Sequence, residues 1–342
     1  MSAPATTTTA PVLSFPRATF AKLSPSPFLL AHLKPSAPNT LAIRPNGRAP
    51  SEHRTPTINT SSLTHSSGSA VVRVGDTAVV CGVRGELLLV SDIPHPRRDN
   101  TDLSDTEISD MGLLVPNLEL STGCSPAHLP SNAPGTLAQS LSQRVLSLLE
   151  TSDLVDLQDL EILYRPPVTD PDSPDETPGT VVKAYWALYI DILFISLDGN
   201  PFDAAWLAVV AALRDTRLPQ AWWDADREMI LCSDSVRESR RLSIRCTPIA
   251  STFAIYTPGT VQQRRSSQES WMLADPDGFE EELCDETVTV VLECSKGNTS
   301  GILKIEKNGG GVVGRALMRR IFSETKRKWH DWSRALEVTD AV

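Results

Sequence analysis

Hydrophobic residues are most concentrated in one stretch, Val181 to Leu213, with a turn signal in its middle. The part from Val181 to Leu197 is rich in β-branched and aromatic residues and predicts a long strand. Asp198-Gly199 predicts a turn, and Asn200-Pro201 predicts the helix that follows, with Asn200 as its cap. Apolar residues recur nearly all round that helix, so the whole unit is predicted to lie in the core.

One charged position of the predicted strand, Asp191, shares a face with four apolar or aromatic residues: Ala187, Tyr189, Leu193 and Ile195. A carboxylate among such neighbours is predicted to be buried and hydrogen-bonded to nearby backbone. We favour this interpretation over a catalytic role for Asp191.

Elsewhere, segments in which apolar and polar residues alternate predict strands, and segments in which apolar residues recur every 3.6 positions predict amphipathic helices. Helices are predicted over 136–150 and 312–336, and a hairpin turn at Gly75-Asp76. Strands are predicted over 57–63, 69–87, 113–120, 160–164, 240–256, 271–274, 287–293 and 301–307, and Trp222-Trp223 is assigned to a connection. Groups of strands thus alternate with single helices, which predicts an α+β fold with mostly antiparallel or mixed sheets packed against helices.

The first 40 residues differ in composition from the rest, being rich in Thr, Ala, Pro and Ser. Apolar anchors spaced along 15–33 predict one or two short docked helices, while Pro25 and Pro27 exclude one continuous helix. The opening ten residues are predicted to be disordered. Because no acidic residue precedes Glu52, an organellar transit segment is the alternative interpretation.

The remaining chain, 41–342, is interpreted as one domain with two halves of similar size. The halves cover about 41–165 and 181–342, and the acidic, proline-broken loop 168–179 joins them. With 342 residues, 40% hydrophobic and 22% charged, the chain has the composition of an ordinary globular protein with a sizeable core.

Charge and cysteine content exclude several classes of function. A formal net charge of −10 argues against coating nucleic acid by bulk electrostatics, so any RNA contact must be local. The six cysteines form no Cys-x-x-Cys pair and lie near no histidine cluster. This pattern indicates reduced thiols in a cytosolic or nuclear setting, and it predicts neither a zinc site nor a disulfide framework. No run resembles a membrane span.

Two stretches together are distinctive: the opening motif Arg44-Pro45-Asn46-Gly47-Arg48 followed by HSSGSAVVRVGDTAVVCGVRGEL, and the later turn LDGNPFDAA. Both resemble the RNase PH family, whose members begin with Arg-x-Asp-Gly-Arg; here Asn46 replaces the aspartate. The resemblance covers about Leu41 to Leu336 and is greatest to eukaryotic exosome ring subunits. It implies the RNase PH fold (ribosomal protein S5 domain 2-like) and assembly into six-membered rings.

The resemblance also implies an altered active site. Active bacterial members carry Asp-Gly-Gly-Thr-Arg-Thr-Ala at the strand-to-helix turn, and the arginine binds the attacking phosphate. Here Phe202 stands at the arginine position, and Asp203 adds a negative charge that opposes anion binding in the first helical turn. Asp275 and Glu281 match the family's two acidic residues. The resemblance therefore implies that the phosphate-binding arginine is lost while the acidic pair is kept.

By resemblance, the chain is a non-catalytic structural subunit of the hexameric exosome ring, supporting 3′–5′ RNA processing and degradation without metal or cofactor. The implied partners are other RNase PH-like ring subunits, with ribosomal RNA-processing protein 46 as direct neighbour, S1/KH cap subunits, the exosome's catalytic nuclease subunit, and single-stranded RNA in the channel. The implied locations are nucleus, nucleolus and cytoplasm, with no membrane association. The alternative is an active phosphate-dependent 3′–5′ exoribonuclease with displaced ligands.

Arg97 and Arg98 are the predicted RNA contacts. They follow the first hairpin, where active relatives place a basic loop that faces the channel. The alternative is that they pair with Asp99, Asp102 or Asp105 on a solvated loop.

Overall fold

The computed structural model of the chain describes residues 16–34, 41–93, 108, 111–126, 128, 135–166, 179–259, 270–294 and 301–340. These residues form two main sheets with helices packed against them, which is the predicted α+β arrangement. Within this described part, no helix is long and apolar enough to cross a membrane.

The first sheet has six strands: β1 (Pro56–Thr60), β2 (Gly68–Val74), β3 (Thr77–Leu89), β4 (Leu114–Leu120), β5 (Glu161–Tyr164) and β6 (Val181–Ser196). Its order is β1-β2-β3-β6-β4, with β5 also paired to β6. The predicted hairpin turn at Gly75-Asp76 joins β2 to β3. The long strand β6 pairs antiparallel with β3 and parallel with β4, so the segments before and after the acidic loop share one sheet.

The second sheet is antiparallel and follows the order β12-β11-β13-β14. Its strands are β11 (Ile249–Tyr256), β12 (Trp271–Ala274), β13 (Glu286–Glu293) and β14 (Gly301–Asn308). Two small ribbons precede it in the chain: β7 (Arg217–Leu218) with β10 (Arg240–Arg241), and β8 (Ala221–Asp224) with β9 (Met229–Cys232).

Seven helices are described: α1 (Arg17–Leu23), α2 (Pro25–Leu33), α3 (Thr136–Ser152), α4 (Leu157–Leu160), α5 (Pro201–Asp215), α6 (Gly278–Leu283) and α7 (Arg315–Asp340). Helix α5 packs against β2 and β3 of the first sheet and against β11 of the second. Every side chain from Phe202 to Leu213 is buried, which explains why that helix is apolar nearly all round. Burial of each large apolar side chain contributes about 1.5–3 kcal/mol, so the N-terminus of α5 is held firmly between the sheets.

Helix α2 lies against the second sheet of this same chain, and α1 contacts α2. Leu29 and Leu33 of α2 pack with Tyr256 and Leu273 in a small apolar cluster. The Tyr256 hydroxyl also lies 2.7 Å from the Ser26 hydroxyl. The apolar anchors in α2 therefore have an intramolecular partner, whereas Phe20 and Leu23 of α1 are exposed.

The predicted burial of Asp191 is wrong. Its side chain is exposed and accepts a hydrogen bond from Asn117 Nδ2 at 3.2 Å. Strand side chains alternate between faces, and Ile190 and Ile192 point into the core. The face that carries Asp191 is exposed to solvent, since Ile195 on the same face is 54% exposed. The continuous apolar sequence therefore gave no sign that one face of this strand is uncovered.

Two local predictions also fail between residues 217 and 256. The strand predicted over 240–256 is two strands, β10 and β11, separated by irregular backbone. Trp222-Trp223 lies in β8 and not in a connection. Pairing with β9 decides that these residues form a strand, so the local sequence gives little indication of it.

Candidate functional site

Two turns meet where β6 leads into α5. The turn Asp198–Asn200 lies against the turn that follows β12, and the Gly278 N–H donates to Asp198 Oδ1 at 3.2 Å. Gly199 has φ +68°, and a Cβ placed on it would lie 2.4 Å from the backbone carbon of Asp277. Only glycine allows this approach, so the contact between the two turns depends on Gly199.

Asp275 is the buried acidic residue at the centre of this contact. Its backbone is left-handed, with φ +51°, and its carboxylate accepts two bonds from the Arg54 guanidinium, both at 2.8 Å. The Arg54 N–H adds a third at 2.9 Å. Burial alone would raise the pKa of Asp275, but the bonds and charge of Arg54 outweigh it and hold that pKa well below its usual range.

Asp203, in the first turn of α5, is also buried and fully partnered. Lys328 Nζ of α7 lies 2.5 Å from Oδ2, and Thr252 donates its N–H and its hydroxyl at 2.9 and 2.8 Å. Asn200 Nδ2 donates to Asp203 at 2.8 Å and to Asp275 at 2.7 Å. The Asn200 side chain therefore links two carboxylates and makes no capping bond to the helix, contrary to the prediction.

Glu281 occupies the N-terminal end of α5. Its Oε1 accepts the backbone N–H of Asn200 at 2.7 Å. Burial raises the pKa of Glu281 to about 7, an effect that the Asp203 and Asp275 charges reinforce and that the Asn200 bond and Arg54 oppose. A protein carboxylate thus takes the position in which a helix N-terminus attracts an anion.

Phe202, at the position of the expected phosphate-binding arginine, is buried beneath a different arginine. The Arg144 guanidinium carbon of α3 lies 4.0 Å from the centroid of the Phe202 ring. Arg144 also bonds Glu306 Oε2 at 2.9 Å and Thr289 Oγ1 at 3.2 Å. Sequence reasoning did not place Arg144 here; its only signal is a basic residue on the predicted helix 136–150.

The opening motif holds the acidic segment from the other side. Arg44 is buried and donates to Glu280 at 2.9 Å, and Arg48 donates to the Asp275 carbonyl at 2.9 Å. Asn46 Nδ2 donates to Asp277 Oδ2 at 2.7 Å. An aspartate at position 46 would face a carboxylate there, so the amide suits this chain's own acidic neighbour.

The structure therefore brings together Phe202, Asp203, Asp275 and Glu281, the four positions that the sequence analysis aligned with the family's active site. Arg97 and Arg98 lie outside the described residues, so their RNA contact stays a prediction. Among the described residues, no group of His, Cys, Asp and Glu is arranged to hold a metal ion.

Known proteins are similar to this chain over most of its length. Residues 52–219 match the sequence profile of the 3′ exoribonuclease family, domain 1 (RNase PH). Over 317 residues the chain is 31% identical to the exosome complex component rrp43 of Schizosaccharomyces pombe, covering 93% of this chain and 97% of that protein. The chain belongs to the RNase PH family. The resemblance inferred from the opening motif and the LDGNPFDAA turn is confirmed, and so is the expected similarity to a eukaryotic exosome ring subunit.

Archaeal proteins of the family are also similar. The exosome complex component Rrp42 of Thermococcus gammatolerans is 28% identical over 268 residues, covering 78% of this chain and 80% of that protein. A chain of the Archaeoglobus fulgidus exosome, solved with RNA bound to the active site, aligns with a TM-score of 0.58 and 23% identity. That alignment covers 87% of this chain and 92% of the solved one, which confirms the RNase PH fold.

Proposed function

We propose that the chain is a non-catalytic structural subunit of the hexameric ring of an RNA exosome. The observation that carries the proposal is the N-terminus of α5, where the protein's own groups fill the expected phosphate site. Similarity to exosome components of both eukaryotes and archaea supports membership of such a ring.

A phosphate ion has little to bind at this turn. The Asn200 N–H is already used by Glu281, and the buried Phe202 ring replaces the arginine fork. Arg144, which lies over that ring, is paired with Glu306. An incoming dianion would also approach the Glu281 carboxyl group, whose ionised form repels it.

The remaining acidic residues are equally committed to internal contacts. Both oxygens of Asp275 accept from Arg54, and Asn200 shares one of them. Asp203 has its own cation in Lys328. These carboxylates stabilise the junction between the two sheets and the opening motif, which is a structural role.

One observation favours the alternative, an active phosphate-dependent 3′–5′ exoribonuclease. A carboxyl group with a pKa near 7, as at Glu281, can donate or accept a proton at neutral pH. It matches the second acidic position of active members. Acid–base competence without a phosphate ligand is insufficient, however, because phosphate is the nucleophile of phosphorolysis.

We expect the purified chain, alone or with its ring neighbour, to release no nucleoside diphosphates from single-stranded RNA in phosphate buffer. Sulfate buffer and the Asp275→Asn variant are the matched controls. Phosphate-dependent release that Asp275→Asn abolishes would establish the alternative. Co-purification of the tagged chain tests ring membership separately, since the proposal requires RNase PH-like partners.

The proposed partners are other RNase PH-like ring subunits, with ribosomal RNA-processing protein 46 as direct neighbour, together with S1/KH cap subunits and the catalytic nuclease subunit. Single-stranded RNA would pass through the channel that the ring encloses. The proposed locations are the nucleus, including the nucleolus, and the cytoplasm.

Within the ring, we propose that Arg97 and Arg98 contact RNA phosphates. Replacing both with alanine should lower the slope of log affinity against log salt concentration by about 1 to 2. The reason is that binding releases about one counterion fewer for each phosphate contact that is removed. Affinity should fall uniformly across RNA sequences. A salt titration of wild-type and Arg97→Ala/Arg98→Ala complexes measures the slope; coincident lines would assign both residues to a solvated surface.

A further inference from the structure

An exposed serine follows two arginines in the loop between β10 and β11. Ser243 is exposed, and its hydroxyl makes no hydrogen bond to the described residues, while its N–H donates to Asp159 Oδ2 at 2.7 Å. Arg240 and Arg241 stand three and two positions before it, and apolar Ile244 follows. The backbone at Ser243 lies in neither a helix nor a paired strand.

Both arginines are on the surface. Arg240 has a 69% exposed side chain, although it reaches Asp159 Oδ1 at 2.6 Å. Arg241 is exposed and its Nε donates to the Arg214 carbonyl at 2.7 Å. They belong to a strand of two residues paired with another strand of two, so separating this ribbon breaks few backbone bonds.

We propose that Ser243 is a phosphorylation site for a basophilic serine/threonine kinase. Such kinases recognise arginines two and three positions before the serine through acidic residues of their own cleft, a charge pattern that sets specificity. The Ser243 oxygen attacks the γ-phosphorus of ATP, forming an O–P bond and breaking the bond to the β-phosphate oxygen. ADP leaves, and the kinase's catalytic aspartate accepts the serine proton.

The new phosphate would act on a specific attachment. Residues after Ser243 are bound to the segment between α3 and α4: the Arg245 N–H donates to the Leu154 carbonyl at 3.0 Å, and the Arg245 side chain pairs with Asp156 at 2.9 Å. A phosphate of charge about −1.5 to −2 beside Asp159 repels that carboxylate and competes for Arg240. Phosphorylation therefore loosens this attachment.

The test uses the purified full chain, MgATP and the catalytic subunit of cAMP-dependent protein kinase. Because Arg264-Arg265-Ser266-Ser267 repeats the arginine–serine pattern, the reference chain carries Ser266→Ala/Ser267→Ala. We expect the native chain to gain one phosphate at Ser243 by peptide mass spectrometry. Ser243→Ala should remove it, and Ser235→Ala, an exposed serine without preceding arginines, should not.

Arg241→Gln keeps the Arg240–Asp159 pair and should lower kcat/KM for the modification at least tenfold.

The effect of the phosphate on the structure is measured separately. Amide hydrogen exchange over 152–160 should be several-fold faster in the phosphorylated chain than in the unmodified one. A free peptide of residues 237–247 serves as the sequence control. The proposal would be overturned if the kinase modified the peptide but not the native chain, or if it modified neither of them. It would also be overturned if Arg241→Gln left the rate of phosphorylation unchanged.

Discussion

Replacing Lys328 with methionine should lower the free energy of unfolding by about 3 to 5 kcal/mol, the largest effect that we expect from one substitution. Lys328 Nζ lies 2.5 Å from Asp203 in the interior, and both side chains are almost completely buried. Methionine retains the apolar stem but leaves the Asp203 carboxylate without a cation. Uncompensated buried charge is the costly part, since Coulomb attraction no longer offsets the lost hydration.

The double variant Lys328→Met/Asp203→Asn separates charge from packing. It removes both charges and keeps an amide that can bond Thr252, so most of the lost stability should return. Exposed Lys326→Met is the matched control and should change the unfolding free energy by less than about 0.5 kcal/mol. Urea titration of the four chains measures these differences. Equal destabilisation by the single and double variants would show that the charge pair does not determine the effect.

Replacing Glu281 with glutamine should make stability less dependent on pH and should stabilise the chain above neutral pH. The folded-state pKa of Glu281 is about 7, above the ordinary value of 4.5. Between these values the folded chain keeps a proton that the unfolded chain has lost, so stability falls as pH rises from 4.5 to 7. The full fall is on the order of 3 kcal/mol.

Glutamine cannot ionise, yet its carbonyl can still accept the Asn200 N–H. The stability difference between Glu281→Gln and wild type should therefore be largest at pH 8 and close to zero at pH 4. Urea unfolding at one-unit pH intervals measures it. Parallel profiles would mean that Glu281 ionises at its ordinary pKa and that its site is better solvated than the structure indicates.

The contribution of the Asp275 carboxyl group to stability should depend on pH in the opposite direction. Arg54 holds its pKa below the usual range, so its contribution is present at neutral pH and is lost only when acid protonates it. This difference between two acidic residues of one site follows from their partners. Asp275 has a bidentate guanidinium, whereas Glu281 has one backbone N–H.

Sequence alone predicted the features that depend on neighbouring residues. The long strand, the Asp198-Gly199 turn and the helix after Pro201 were predicted from consecutive residues, and the structure confirms all three. The hairpin at Gly75-Asp76 was predicted on the same basis. Local propensity and periodicity are properties of a segment, so a segment suffices to predict them. The family was recognisable too, because its motifs are contiguous in sequence.

Tertiary structure decided the chemistry of the site. Arg54 and Asp275 are 221 residues apart in the chain, and Lys328 and Asp203 are 125 apart. Which carboxylate receives which cation depends on how the two sheets and α5 pack, and local patterns carry no information about that pairing. The burial of Asp203, the exposure of Asp191 and the position of Arg144 over the Phe202 ring have the same origin. Sequence determined which charges are present; the packing of distant elements determined which are neutralised and which meet solvent.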